Sequence, residues 1–143
     1  MQRFGRMFRW VGGFVALGGA FACATTVAGQ EEARPVPSVP SGLDVTLQDH
    51  LLDDLGSLGV FARFRFVVPG IAQGAGFGQV ESDFPILCRD YAVPALRDAA
   101  VSPERIVISY ASAPVEFGAY DPDIVQFFEA FRVEDGTCIW EGF

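Results

Sequence analysis

The sequence predicts one α+β domain, in which an antiparallel sheet of about four strands carries one main helix on one face. Three observations support this fold class. Residues 60–68 and 106–110 alternate between two kinds of side chain, with the period of a β-strand. Apolar residues at helical spacing lie between those two segments. Asp135-Gly136 is typical of the turn of a β-hairpin and predicts one at the C-terminus.

The first 29 residues have the three parts of a signal peptide. A basic start is followed by the apolar segment 11–21 and then by small residues. We expect cleavage after Ala28 or Gly29, and cleavage after Ala24 also fits the pattern. The basic start consists of Arg3, Arg6 and Arg9. The pattern predicts an exported protein, either periplasmic or secreted.

Two alternatives for this N-terminal segment stay open. Residues 10–30 carry no charge and are long enough to span a bilayer if the segment is never cut. Alternatively, Cys23 would carry the lipid of a lipoprotein, although Ala20 and Phe21 match that signal poorly. Contact with a membrane is expected only through an uncleaved or lipidated N-terminus.

A proline-rich linker, residues 30–42, is predicted before a single domain at 43–143. From Gln30 onward the chain has seven arginines, no lysine and 18 acidic residues, a difference of −11. A domain with this net negative charge repels phosphate groups, which argues against binding to nucleic acid or to anionic lipid.

The first element of the domain is ambiguous. Leucines recur every fourth residue with aspartates between them, which predicts a short amphipathic helix with Thr46 as its N-cap. Val45 and Leu47 fit a strand equally well. The leucines are Leu43, Leu47, Leu51 and Leu55.

The next two elements are a strand and a helix. In residues 60–68 one face is apolar, and the other face carries Arg63 and Arg65. A glycine-rich loop, GAGFG at 74–78, follows, and Ser82 or Asp83 is expected to begin the main helix. That helix is predicted to kink or end near Tyr91, because Pro94 cannot donate a backbone hydrogen bond. Its apolar face consists of Phe84, Leu87, Cys88 and Tyr91.

Closing the turn at Asp135-Gly136 sets the register of the C-terminal hairpin. Phe131, Val133, Cys138 and Trp140 then share one face, and Arg132 lies on the other face. The expected pairs are Glu134 with Thr137, Val133 with Cys138, Arg132 with Ile139, and Phe131 with Trp140. Residues 123–128 also fit a helix, which remains an alternative for the start of this region.

Four segments carry a resemblance to a known family: RFRFVVPGI, LCRDYAVP, IVISYASAPVEFG and QFFEAFRVEDGTCIWEGF. Over residues 36–143 the chain resembles a family of small exported bacterial proteins that is catalogued only as a domain of unknown function. The resemblance implies no activity. Some relatives carry an automatic label of acetolactate synthase, which is a much larger thiamine-diphosphate enzyme, and a body of this length has no room for its domains.

Arg63, Arg65 and Arg132 are the candidate binding residues, because each is predicted on a strand face that points away from the core. If the two strands are neighbours, three guanidinium groups would form a site for carboxylates. The alternative is that each arginine pairs with an acidic residue across the sheet.

Other polar motifs have ordinary structural explanations beside functional ones. Glu116, Asp121 and Asp123 could act in acid–base chemistry or hold a cation, but Asp-Pro-Asp is also common turn chemistry. His50 is the only histidine, and on a helix it would lie one turn from Asp53 and Asp54, which makes either a weak cation site or a solvated acidic face. The spacing of GAGFG differs from that of a dinucleotide-binding loop. We therefore predict no catalytic residue, no metal site and no cofactor.

A disulfide between Cys88 and Cys138 is predicted, because removal of the signal peptide would leave only these two cysteines. Cys88 lies on the apolar face of the helix and Cys138 on the apolar face of the hairpin. Both side chains therefore point into the layer between helix and sheet.

These observations favour a non-enzymatic domain of the cell envelope that binds an unknown protein or small molecule. The alternative is a small hydrolase that depends on carboxylates or on a cation. A tethered structural protein, with residues 31–42 as its spacer, is a third hypothesis.

Overall fold

A computed structural model describes residues 34–142. The predicted signal peptide, residues 1–29, lies outside these residues. Within the described part of the chain, no helix is long and apolar enough to cross a membrane.

The core of the fold is a sheet of five strands whose order along the sheet is also their order along the chain. All neighbouring pairs are antiparallel except β2 and β3, which run parallel. The α+β class is therefore right, whereas the predicted antiparallel sheet of about four strands is right only in part, since the sheet has five strands and one parallel pair. The strands are β1 (Thr46–Asp54), β2 (Val60–Val67), β3 (Arg105–Ala111), β4 (Gln126–Glu134) and β5 (Thr137–Glu141).

The extra strand is β1, where a helix was one of the two predictions. Isolated helices of this length are marginal in water, whereas a strand at this place gains a full ladder of hydrogen bonds with β2. The two strands form a hairpin through a single 3₁₀ turn at Gly56–Leu58. Gln48 falls at an irregularity in the register, between the pairs made by Leu47 and Asp49.

The parallel pair requires a crossover, and the helical segment supplies it. After β2 the chain forms a 3₁₀ turn at Pro69–Gln73 and then three helices in succession. These are α1 (Phe77–Val80), α2 (Asp83–Leu87) and α3 (Val93–Asp98), with a π-turn at Cys88–Ala92 joining the last two.

Pro94 does not end the main helix, contrary to one of the two outcomes predicted for it. The wide turn directly before it uses a bond from the Val93 N–H to the Cys88 carbonyl, five residues back. Helical geometry then resumes with Pro94 as the second residue of α3, in the first turn, where a missing N–H is tolerated. The helix therefore runs from Asp83 to Asp98 with one wide turn inside it.

The helical layer covers one face of the sheet, and together they enclose the core. From β2 and β3 the core takes three even-numbered residues each, all of which are almost completely buried. The main helix contributes Phe84, Leu87, Cys88 and Tyr91, as its apolar face predicts. The sheet residues are Ala62, Phe64, Phe66, Ile106, Ile108 and Tyr110.

The C-terminal hairpin has the predicted turn and the predicted register, from Glu134↔Thr137 to Phe131↔Trp140. The alternative helix at 123–128 is wrong, because β4 begins at Gln126. Cys88 and Cys138 form a disulfide, with Cα atoms 6.3 Å apart. This bond joins the main helix to β5, the strand at one edge of the sheet.

The segment before β1 is in contact with this core. Val39 is buried in the core, and Val36 and Leu43 pack against it. A buried carboxylate holds the segment in place: the Ser41 N–H and hydroxyl donate to the two oxygens of Asp83, at 2.8 and 2.6 Å. The Tyr110 hydroxyl donates to the same carboxylate at 3.0 Å.

Candidate functional site

The candidate site lies on the face of the sheet that the helices leave open. Because strand residues alternate between faces, the odd-numbered residues of β2 and β3 point to this side. It carries Arg63, Arg65 and Arg105, and Val107 and Ser109 are paired across the ladder with Arg63 and Arg65.

Two arginines of β2 are held by aspartates of β1. The Arg65 Nη1 donates to Asp49 Oδ2 at 2.7 Å, directly across the ladder, and the Arg63 Nε donates to Asp53 Oδ2 at 2.5 Å. The side chain of Arg65 is only 11% exposed, so its guanidinium is largely withdrawn from water. Cross-strand pairing, one of the two alternatives for these arginines, is therefore present at both residues.

Arg132 does not join this pair. Strand β3 lies between β2 and β4, so the strands that carry the three predicted arginines are not neighbours. Arg132 instead shares Glu141 with Arg105: the Arg105 Nε and the Arg132 Nη1 donate to the two carboxylate oxygens, at 2.5 and 3.3 Å. The hydrogen bond from Arg105 lowers the pKa of Glu141, and the hydrogen bond to Glu134 raises the pKa of Arg132.

The loop between β3 and β4, residues 112–125, is fastened to the open face at Val115. The amide of Gln48 donates to the Val115 carbonyl at 2.7 Å and accepts from the Val115 N–H at 3.2 Å. The Gln48 side chain thus pairs with this backbone as another strand would. Arg65 Nη2 donates to the same carbonyl oxygen, so the ion-paired arginine also holds the loop.

Phe117, two residues beyond this attachment, lies over both arginines of β2. The guanidinium carbons of Arg63 and Arg65 are 5.4 and 5.7 Å from the centre of its ring, within the range of cation–π attraction. The Phe117 side chain is nevertheless 56% exposed. One side of the ring therefore contacts the arginines, and much of the rest faces water.

Beside Phe117 is a cavity of about 220 Å³, which we call the face pocket. Its walls come from β2, β3, β4 and the loop 112–125. Two further aromatic residues of this region are exposed, Phe128 at 57% and Tyr120 at 87%. The face pocket is lined by Arg63, Arg65, Val107, Ser109, Glu116, Phe117, Gly118, Ala119, Gln126 and Phe128.

The predicted acidic candidates all lie in the loop 112–125 and are exposed. Glu116 and Asp121 accept hydrogen bonds from backbone N–H groups through their carbonyls, and Asp121 Oδ1 also accepts from the Asp123 N–H at 2.9 Å. This is the turn chemistry that a D-P-D sequence favours. Of the three, only Glu116 lines the face pocket.

His50 does not lie one helical turn from Asp53, because both residues belong to strand β1. Its ring stacks on Phe64 at 4.8 Å, on the helix-covered side, whereas Asp53 reaches Arg63 on the open side. Within residues 34–142 no group of histidine, cysteine and acidic side chains is arranged to hold a metal ion.

The most deeply buried ionisable groups are away from the open face. Asp83 is completely buried where the main helix begins, and Tyr110 donates to it from β3. Burial, followed by the charge of Asp83, raises the pKa of the Tyr110 hydroxyl far above its usual range. This network satisfies its own hydrogen bonds and serves to hold the segment before β1.

Sequence reasoning identified Arg63 and Arg65 but missed Gln48 and Phe117. Gln48 holds the loop at a point where the register between β1 and β2 is irregular. The sequence around Gln48 has no pattern that predicts this irregularity. Phe117 lies in a loop without periodicity, where an aromatic residue has no predictable partner. Its position 50 residues or more from the arginines could be found only from the folded chain.

Comparison with known proteins gives one result. The model of a family of unknown function, DUF6497, matches residues 18–143, so the chain belongs to that family. No curated protein and no solved structure gave a match.

Proposed function

We propose that this member of a family of unknown function is an exported domain of the bacterial cell envelope that binds a protein partner through the open face of its sheet. It would act by binding and not by catalysis. The predicted signal peptide and a disulfide, a bond that persists in oxidising compartments, support the export.

One observation carries the proposal: two exposed aromatic side chains, Phe117 and Phe128, line a pocket that also contains two arginines, and a third, Tyr120, follows the pocket residue Ala119 in the chain. Phe117, Tyr120 and Phe128 each leave more than half of their surface exposed. Leaving large apolar surface in water is unfavourable, and aromatic residues and arginine are enriched where proteins bind each other. The face pocket is small enough for one side chain of a partner.

The arrangement of the arginines indicates which side chains the partner should have at this face. Arg63 and Arg65 are already neutralised by Asp53 and Asp49, so a freely diffusing anion gains little at this face. A peptide segment gains more, because an apolar side chain can fill the face pocket while a carboxylate near it contacts the remaining donors of Arg63. We therefore expect a partner with an apolar anchor next to an acidic residue.

Affinity capture from envelope extract tests this proposal, with the exported protein as bait and variants that separate the two sides of the sheet. Phe117→Ser and Arg63→Gln should lose the captured partner, and affinity should fall roughly 30-fold if each acts as a hot spot. Trp140→Ser is the matched control, because Trp140 is also exposed, at 61%, but lies on the helix-covered side.

Arg65→Gln adds a second test of the same face. It removes a bond to Val115 as well as the ion pair, so it should loosen the loop 112–125, which Gln48 still holds, and weaken capture. If the same partner is captured equally by the wild type and by all variants of the open face, the proposal is wrong.

A further inference from the structure

A second cavity, away from the open face, lies where α3, the following loop and the turn of the C-terminal hairpin meet. We call this cavity of about 330 Å³ the end pocket. Its walls are mainly apolar and include Leu96, Val101, Pro103, Ile106 and Val133. A pocket of this size is at the small end of the range for ligand sites, roughly 300–1,000 Å³. It would accommodate a compact ligand and not a large cofactor.

Arg97 gives the end pocket a positive charge that pairs with no carboxylate among residues 34–142. Residues 34–142 contain seven arginines, and six of them form ion pairs with carboxylates. Arg97 forms none and lines the pocket instead. Carboxylates greatly outnumber arginines in this protein, so an arginine left without one is a candidate for an external carboxylate.

The opposite charge lies on the hairpin turn. Asp135 also lines the end pocket, is exposed and forms no ion pair among the described residues. The tip of the Arg97 side chain reaches the same turn, since its Nη2 lies 3.7 Å from where a Cβ on Gly136 would be. The apolar pocket is therefore bordered by one cation and one anion that form no ion pair with each other.

We propose that the end pocket binds a small zwitterion with an apolar side chain, of the class of aliphatic α-amino acids. The side chain would occupy the apolar walls, the carboxylate would pair with Arg97, and the ammonium group would pair with Asp135. A simple carboxylate is disfavoured by Asp135, and a simple amine is disfavoured by Arg97. This activity is independent of partner binding at the open face.

Calorimetric titration of the exported protein tests the proposal with three probes of similar shape. Leucine has both charges, 4-methylpentanoate lacks the ammonium group, and 3-methylbutylamine lacks the carboxylate. Leucine should bind, and each of the other two should bind at least about tenfold more weakly, because each loses one charge-assisted pair. Absence of leucine binding, or equal binding of either single-charge probe, would overturn the proposal.

Two variants, each lacking one charged side chain of the end pocket, test which residue pairs with each charged group of leucine. Arg97→Gln and Asp135→Asn should each weaken leucine binding about tenfold while leaving the circular dichroism spectrum unchanged. Asparagine tolerates the positive φ of 50° at Asp135, so the turn should be kept. Arg132→Gln, on the open face, is the control and should bind leucine like the wild type. Undiminished binding by both pocket variants would place the ligand elsewhere and overturn the proposal.

Discussion

The two faces of the same five strands differ in nearly every physical property. On the covered face Ile106, Ile108 and Tyr110 are completely buried against the helices. On the open face their immediate neighbours Arg105, Val107 and Ser109 contact a loop, ion pairs and water. Because residues one position apart have such different surroundings, stability and recognition can be altered separately. The covered face should determine whether the chain folds, and the open face should determine what it binds.

The largest difference in the free energy of unfolding is expected between the alanine variants of two phenylalanines, one on each face. Phe66→Ala should lower the free energy of unfolding by about 3–5 kcal/mol, because it leaves a cavity between β2 and the main helix. Phe117→Ala, on the exposed loop, should cost less than about 1 kcal/mol. Urea denaturation with the disulfide intact measures both values.

If Phe66→Ala is too insoluble for a full titration, Phe66→Leu should give a smaller loss of the same sign. Comparable losses in Phe66→Ala and Phe117→Ala would contradict the contrast, since they would mean that the loop 112–125 is as much a part of the core as the helices are.

Removal of the disulfide should have the next largest effect on the free energy of unfolding. Replacing both Cys88 and Cys138 by alanine should lower the free energy of unfolding by about 2–4 kcal/mol, because the bond closes a loop with a separation of 50 residues. It joins the helix to β5 on the covered side, so partner binding at the open face should be preserved in the variant. Denaturation and affinity capture with the same protein measure the two effects.

Dithiothreitol supplies the control for this variant. The reductant should destabilise the wild type to the level of the double variant and leave the variant unchanged. A wild type whose unfolding curve is the same with and without reductant would show that the bond contributes nothing to stability.

The smallest effect on stability is expected from removing the Glu141 carboxylate on the open face, and this effect should depend on pH. The hydrogen bond from Arg105 lowers the pKa of Glu141, so the stabilisation from this group is complete above the ordinary glutamate pKa, about 4.3. It is lost as pH falls through the lowered value in the folded state. The difference in melting temperature between the wild type and Glu141→Gln should therefore shrink on acidification to about pH 3.

Ile139→Val provides a comparison for this measurement, because it alters the same strand without removing a carboxylate or a hydrogen bond to one. Its difference from the wild type should be nearly constant with pH. A difference for Glu141→Gln that also stays constant would show that the Arg105–Glu141–Arg132 group carries no pH-dependent stability.

The sequence was informative where two independent patterns agreed. At the hairpin, the turn at Asp135-Gly136 and the alternation on both sides require the same register, and the structure has it. The strand at β2 and the apolar face of the main helix follow from periodicity alone. Periodicity failed at β1, because four leucines at helical spacing also satisfy one strand of a hairpin, and only pairing with β2 decides between them.

The candidate site was predictable in part for a related reason. Alternation places Arg63 and Arg65 on the open face, but it does not give the order of the strands. The parallel insertion of β3 separates Arg132 from them, and this depends on the crossover rather than on any local residue. Gln48 and Phe117 become part of the site only through a register irregularity and a long loop.

The covalent link from Cys88 to Cys138 also divides the chain mechanically. If tension is applied through the two ends of the chain, the covalent path of the load passes through β1, β2 and the first part of the main helix. It leaves the helix at Cys88, crosses the sulfur–sulfur bond to Cys138 and continues toward the C-terminus. Strands β3 and β4 lie within the closed loop and carry none of this load. The fifty or so residues between the two cysteines would span roughly 170 Å if fully extended, at about 3.4 Å each. Pulling on the chain ends therefore cannot extend this segment until the disulfide is reduced.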